Sequence, residues 1–302
     1  MRAEVTARSR QPLRLAPVRV AHALALLVAA LLVPACASGP APAAAPEDIE
    51  PAADVGAVAV PDAELPRLLV GSDLDNKPFA WVDAAGRPQG RDVEMMAAIA
   101  QLLHRRLEWQ RMPFDQLMPA VQARRVDLVC ATLGVTPERE RLMAFSRPYF
   151  ETEIVAVVRA GEGEPATLEA LAGRRVAGAA GTTAERAVRG VLPGALGVFE
   201  SKGLPAGERL LSHEVDAAVM DGPAAAALVA ASDGKLVRLG QPLQAEHYAL
   251  ALPLSSEALR QACDRALSSL ERAGSLARWN EKFGLAPAAA AAPSAAPAPA
   301  AR

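Results

Sequence analysis

CATLGVTPERERLMAFSRPY, residues 130–149, sets an aliphatic run against an arginine-rich turn behind a Thr-Pro step. Thr136 suits a helix N-cap, Pro137 the first helical position and Glu138 the first turn. Arg139 then falls in that turn, beside the carboxyl end of the strand-like VDLVCATL. A guanidinium there meets the positive end of the helix, so an anion or a neighbouring acid is needed to settle it. A ligand clamp and a surface ion pair both satisfy that need, and the residues alone leave the choice open.

The same alternation extends outward on both sides. RLLVGSD, LEWQRM, VDLVCATL, FETEIVAVVRA, RRVAGAA, VDAAVMD and HYALALP read as strands. Between them lie helical patterns: one opening at Asp92 with Val93, Met96, Ile99 or Ala100, and Leu103 spaced at helical intervals; Phe114 to Arg124; a helix after Gly181; PAAAALVAA; and the terminal SEALRQACDRALSSLERAGSLARWNEKFG. Strands alternating with helices predict parallel α/β sheets. Ligands of such sheets sit outside the carboxyl ends of the strands. The loops to watch are therefore 73–79, 132–139, 181–183 and the turn at Asp221.

Each of those loops carries polar chemistry. Thr182 with Glu185 fits a capping box, and the helix start at Thr182 and Thr183 is either a plain cap or an anion seat. Asp221, ahead of Gly222 and Pro223, either caps the next helix or holds an ammonium. SDLDNKPFAW places Asp73 and Asp75 at a strand end before Phe79 and Trp81, and Phe114 opens a helix after Pro113. One cation, two donor loops and one or two carboxylates together complement a zwitterion, its carboxylate on Arg139 and its ammonium on Asp221.

Composition bounds the partners. The chain has 302 residues, of which 51% are hydrophobic and only 4% aromatic, enough for one large or two small domains. Its formal charge is −2; setting aside the five Arg and one Glu of residues 1–35 takes it to −6. A mildly acidic body without a basic run argues against nucleic acid. Residues 1–35 pair Arg2, Arg8, Arg10, Arg14 and Arg19 with an apolar run too short for a comfortable span, the pattern of a signal peptide. LLVPAC resembles a bacterial lipobox with Cys36 as the lipidated residue; ordinary cleavage near Ala37 is the alternative. Residues 36–65, rich in Ala and Pro, read as a flexible tether, and 286–302 as a disordered tail. Cys130, in an apolar strand, and Cys263, in an amphipathic helix, read as buried small hydrophobes, although export permits a disulfide. No cysteine or histidine spacing suggests a metal, and no motif calls for a cofactor.

The motifs GRPQGRDVEMMAAIA, FDQLMPAVQARRVDLVCATLGVTPERERLMAFSRPYF, LAGRRVAGAAGTTAE, VDAAVMDGP and ALSSLERAGSLARWNEKFG occur in order across residues 68–284. Through them the chain resembles the bacterial extracellular solute-binding proteins of family 3, polar amino-acid receptors of ABC importers. The resemblance implies a type II periplasmic binding fold: two α/β lobes, each a mixed, mostly parallel sheet flanked by helices, joined by two hinge strands. Lobe 1 would comprise residues 66–150 and 247–285, lobe 2 residues 154–243, with FETEIVAVV and HYALALP crossing between them.

Position by position, the resemblance makes Arg139 the carboxylate-binding arginine, Thr132 and Gly134 donors beside it, and Thr183 the second-lobe contact to the same carboxylate. It makes Asp221 the ammonium partner, Asp73 a reader of the ligand's side chain and Phe114 one wall of an aromatic sandwich. Asn76 stands where relatives carry the opposing aromatic, and Arg91 replaces an apolar residue after the signature Gly90. The implied protein is a periplasmic, lipid-anchored monomer that passes an amino acid or similar small polar solute to an inner-membrane ABC permease. Two other roles fit the same fold: a cyclohexadienyl-dehydratase-like enzyme, for which no surplus cleft acid beyond Asp73 and Asp75 is evident, and a binding component of a sensory system.

Overall fold

The computed structural model describes residues 64–161, 163–200 and 206–285. The expected signal peptide, the lipidation residue Cys36, nearly all of the tether and the terminal tail lie outside these residues. Among the described residues no helix is long and apolar enough to cross a membrane.

The chain opens with β1 (Arg67–Ser72), β2 (Asp75–Asn76), β3 (Ala80–Val82) and β4 (Pro88–Gln89), followed by α1 (Arg91–Leu102), β5 (Arg106–Arg111), α2 (Phe114–Gln122), β6 (Leu128–Val129), α3 (Pro137–Glu140) and β7 (Ala144–Phe145). A long strand β8 (Phe150–Arg159) leads to β9 (Arg175–Ala179), α4 (Thr183–Val191), β10 (Leu196–Glu200), α5 (Ala206–Leu211), β11 (Ala217–Asp221) and α6 (Gly222–Ala230). The longer β12 (Leu236–Tyr248) returns to β13 (Ala251–Leu252), α7 (Glu257–Arg272) and α8 (Ser275–Lys282).

Two five-stranded sheets result, with the orders β5-β1-β6-β13-β7 and β10-β9-β11-β8-β12; β2, β3 and β4 form a small third sheet. In the first, β1 is parallel to β5 and β6, and β13 runs antiparallel to β6 and β7. In the second, β9 is parallel to β10 and β11, and β8 runs antiparallel to β11 and β12. Both are covered on two faces, as the aliphatic strands require. Along β8, Ile154, Ala156 and Val158 join one apolar cluster while Val155 and Val157 join the other, the period of two of a strand buried on both sides.

The two long strands tie the halves together. Phe150 at the start of β8 and Tyr248 at the end of β12 belong to the core of the first sheet. Ile154 on β8, with Leu239 and Leu243 on β12, belongs to the core of the second. β8 and β12 pair antiparallel, from Leu236 opposite Arg159 to Tyr248 opposite Phe150. Phe79, Phe150 and Tyr248 pack at their base, with Phe150 and Tyr248 stacked at 5.8 Å between ring centroids.

Arg91, where the resemblance implies an apolar residue, is wholly buried at the start of α1. Its guanidinium donates to Asp92 Oδ1 at 3.0 Å, to Asn280 Oδ1 at 3.0 Å and to the Tyr149 carbonyl at 2.9 Å, and it lies over the Tyr149 and Phe150 rings. Burial of so many polar atoms is tolerable because each has a partner. Gly90 before it has φ 126°, and a Cβ there would collide with the Phe79 carbonyl, so only glycine fits.

Among the described residues Cys130 and Cys263 form no disulfide, and both are fully buried in the first core. Burial pushes the Cys263 thiol up to about 12 and holds Cys130 well above its ordinary value. Since the thiolate is the reactive form, neither should react with an aromatic disulfide reagent at pH 8 in a Cys36→Ser chain, while both should in guanidinium chloride. Rapid labelling of the native protein would contradict this burial.

Candidate functional site

The ends of the parallel strands converge on one cleft of about 1000 Å³ between the two sheets. Asp73 follows β1, Thr132 and Gly134 follow β6, Thr183 begins α4 after β9, and Asp221 ends β11. These residues line the cleft together with Asn76, Phe114 and Arg139, so all eight residues singled out for binding face one space. Its size lies at the upper end of the range of ~300–1000 Å³ usual for small-molecule pockets.

Backbone geometry at the cleft edge is unusual. Thr132, a β-branched residue, sits at φ 47°, and Leu74, between Asp73 and Asp75, at φ 48°. Such conformations cost roughly 1–3 kcal/mol and persist where the surroundings impose them. At Thr132 part of that hold is visible: its hydroxyl accepts from Asn76 Nδ2 at 2.8 Å.

Thr136 caps α3 as its sequence suggests, accepting from the Arg139 amide at 3.3 Å. But α3 is one turn long, so little dipole opposes the guanidinium. Arg139 is buried and its hydrogen bonds end on carbonyls: Gly134 at 2.7 Å and, across the cleft, Gly181 at 3.1 Å. Burial lowers its pKa, and the nearby Glu246 carboxylate opposes that shift. A second link across the cleft joins Arg186 to Glu138 at the surface.

The helix starts of the second sheet differ in kind. Thr182 precedes α4 without a side-chain cap; its hydroxyl donates to the Ala179 carbonyl at 2.7 Å. Glu185 reaches back to accept from the Gly181 amide at 2.8 Å, so half of the expected capping box forms, one residue early. Asp221 does cap α6, accepting from the Ala224 amide at 2.9 Å. Desolvation nevertheless leaves its carboxyl pKa raised. Asp73 is raised too, by desolvation first and by Asp75 besides, and its buried Oδ1 has no hydrogen-bond partner among the described residues.

Arg111, Asp115 and Glu246 are among the cleft residues not anticipated from the sequence. Glu246 on β12 is 4% exposed and accepts from the Thr183 hydroxyl at 2.8 Å. Its Oε1 lies so close over Gly134 that a Cβ on that residue would overlap it. Burial raises its pKa, while Thr183 and Arg139 pull it down. HYALALP, read as the strand, begins one residue too late to include it. Extending the strand back through QAE would place Gln244, Glu246 and Tyr248 on one face by their spacing of two.

Two covered α/β sheets, two connecting strands and a polar cleft at the strand ends define a two-lobed receptor for a small solute. The chain belongs to the bacterial extracellular solute-binding proteins, family 3, whose family model matches residues 68–286. Among curated relatives it is 26% identical over 217 residues to the L-cystine-binding protein TcyJ of Escherichia coli, covering 72% of this chain and 82% of that one. To the "Probable histidine-binding protein" of Neisseria gonorrhoeae it is 34% identical over 140 residues, 46% of this chain and about half (47%) of that one. Among solved structures it resembles an ancestral arginine-binding protein bound to arginine, with 30% identity, TM-score 0.66, and 72% and 97% of the two chains covered. It also resembles the ancestral amino acid-binding protein AncCDT-1, a precursor of cyclohexadienyl dehydratase, with 27% identity, TM-score 0.64, and 72% and 94% covered. The fold is thus the type II periplasmic binding architecture expected.

Proposed function

We propose that this protein is a receptor that captures an amino acid or similar small polar solute between lobe 1 (residues 66–150 and 247–285) and lobe 2 (residues 154–243) and delivers it to an inner-membrane ABC permease. Export behind residues 1–35 and a lipid on Cys36, with 36–65 as tether, would keep a monomer at the outer face of that membrane. The observation that carries the reading is the convergence of Asp73, Asn76, Phe114, Thr132, Gly134, Arg139, Thr183 and Asp221 on one cleft between two lobes. A solute touching both lobes favours the closed form by its differential affinity for it. The relatives named for cystine, histidine and arginine binding support the amino-acid class.

The test is a thermal-shift screen of a Cys36→Ser chain against the common amino acids and the amines derived from them. At 100 times its dissociation constant, a solute specific to the folded state adds about 2.7 kcal/mol of stability and raises the melting temperature visibly. A panel in which nothing shifts the transition overturns the reading.

Glu246 favours one second reading. A buried carboxyl of raised pKa beside a cleft is the kind of general acid a dehydration needs, and AncCDT-1 is named as the precursor of such an enzyme. Incubation with prephenate or arogenate, followed by ultraviolet absorbance, is expected to show no turnover; turnover lost in Glu246→Gln would establish the enzyme instead.

A further inference from the structure

Glu246 sits where an incoming carboxylate would have to go. Thr183, Gly134 and Arg139 form the corner of the cleft assigned to the anionic end of a zwitterion. The Thr183 hydroxyl already donates to Glu246 Oε1 at 2.8 Å, and that oxygen lies against the Cα of Gly134. Arg139 supplies counter-charge to Glu246, while its two hydrogen bonds run to the Gly134 and Gly181 carbonyls. The side chain is held there by its strand: Glu246 pairs with Thr152 of β8, between Gln244 opposite Ile154 and Tyr248 opposite Phe150.

The rest of the cleft is acidic. Asp73, Asp75, Asp115 and Asp221 line it with Glu246, against Arg111 and Arg139. Arg111 is partly engaged, donating from Nε to the Asp73 carbonyl at 3.0 Å. Asp73 Oδ1, buried and without a hydrogen-bond partner among the described residues, adds an acceptor on that side. Of these acids, Glu246 is buried, Asp73 and Asp221 are half-buried and Asp75 and Asp115 are exposed; the carboxylates taken out of water need donors or cations to offset their desolvation.

We propose that Glu246 supplies from within the chain the carboxylate that an amino-acid ligand would otherwise bring, and that the cleft selects organic amines and guanidines lacking a carboxylate over the parent amino acids. The inference rests on the cleft being the solute site. A zwitterion must displace the Glu246 carboxyl or place a second carboxylate beside it. A decarboxylated cation fits with Glu246 in place and brings its donors to Asp221 and Asp73. Gly134 belongs to the same arrangement, since a side chain there would expel the carboxyl.

The experiment is titration calorimetry on matched pairs: agmatine against arginine, cadaverine against lysine, and histamine against histidine, with the wild-type chain, Glu246→Ala and Glu246→Gln. Wild-type protein is expected to bind the amine of at least one pair about tenfold or more tighter than its amino acid, a ratio corresponding to roughly 1.4 kcal/mol. Glu246→Ala empties the corner and reverses that order; Glu246→Gln, which keeps it filled, still disfavours the amino acid. Native circular dichroism of each variant verifies folding. An amino acid bound by wild type as tightly as its amine, with the ratio unchanged in Glu246→Ala, overturns the inference and leaves the receptor standing. Absence of binding by either member of every pair, in wild type and in Glu246→Ala, overturns the receptor reading for these solutes along with the inference.

Discussion

Asp221→Asn lowers the affinity for an ammonium-bearing solute by about 2–5 kcal/mol, roughly 30- to 4000-fold, in titration calorimetry. Asparagine caps helices about as well as aspartate, so the bond to the Ala224 amide and the start of α6 survive. What disappears is the negative charge in a desolvated place. The variant should therefore melt close to wild type while binding fails, which separates the ligand role from the cap. The pH profile gives an independent readout. Burial raises the Asp221 carboxyl, so it protonates at a higher pH than an ordinary aspartate. Affinity for a cation is then present above that raised pKa and lost as pH falls through it, and Asp221→Asn lacks this part of the acid-side loss. Unchanged affinity in Asp221→Asn would place the ammonium elsewhere.

Arg91→Leu destabilises the fold by about 3–5 kcal/mol, a large share of the ~5–15 kcal/mol that holds a domain together. Its partner Asp92 is fully buried, accepts from the Tyr149 hydroxyl at 2.8 Å and from Cys130 Sγ, and would be left as an uncompensated charge. Leucine also leaves the Asn280 side chain and the Tyr149 carbonyl without their donor. Urea denaturation should show a lower midpoint with an unchanged slope. In Arg91→Leu/Asp92→Asn the buried charge is gone from both sides, so part of the loss should return; a double variant equal to the sum of the singles would mean the two residues do not act as a pair.

Much of this molecule can be read along the chain. Alternating strands and helices point to parallel sheets, and parallel sheets place the binding loops at their carboxyl ends. Thr136 and Asp221 cap the helices their local pattern implies, with Pro137 opening the first of them, because a cap depends on neighbours three residues away. The motifs from GRPQGRDVEMMAAIA to ALSSLERAGSLARWNEKFG carry the family.

Long-range geometry decides the rest. The residues alone leave Arg139 open between a ligand clamp and a surface ion pair; the folded chain sets its guanidinium at the cleft, donating to the Gly134 and Gly181 carbonyls, 47 residues apart by the difference between positions 134 and 181. Arg91 reads as an oddity in an apolar position, and its partners at 92, 149 and 280 explain it only once α1 and α8 are brought together. Glu246 is an ordinary acid near a strand end until β12 is paired with β8 and presents it to Thr183, 63 residues away. Local sequence specifies caps, periods and strand ends because those forces act over a few residues. Which buried charge meets which partner is settled by packing, since desolvation and pairing depend on every element that closes around the group.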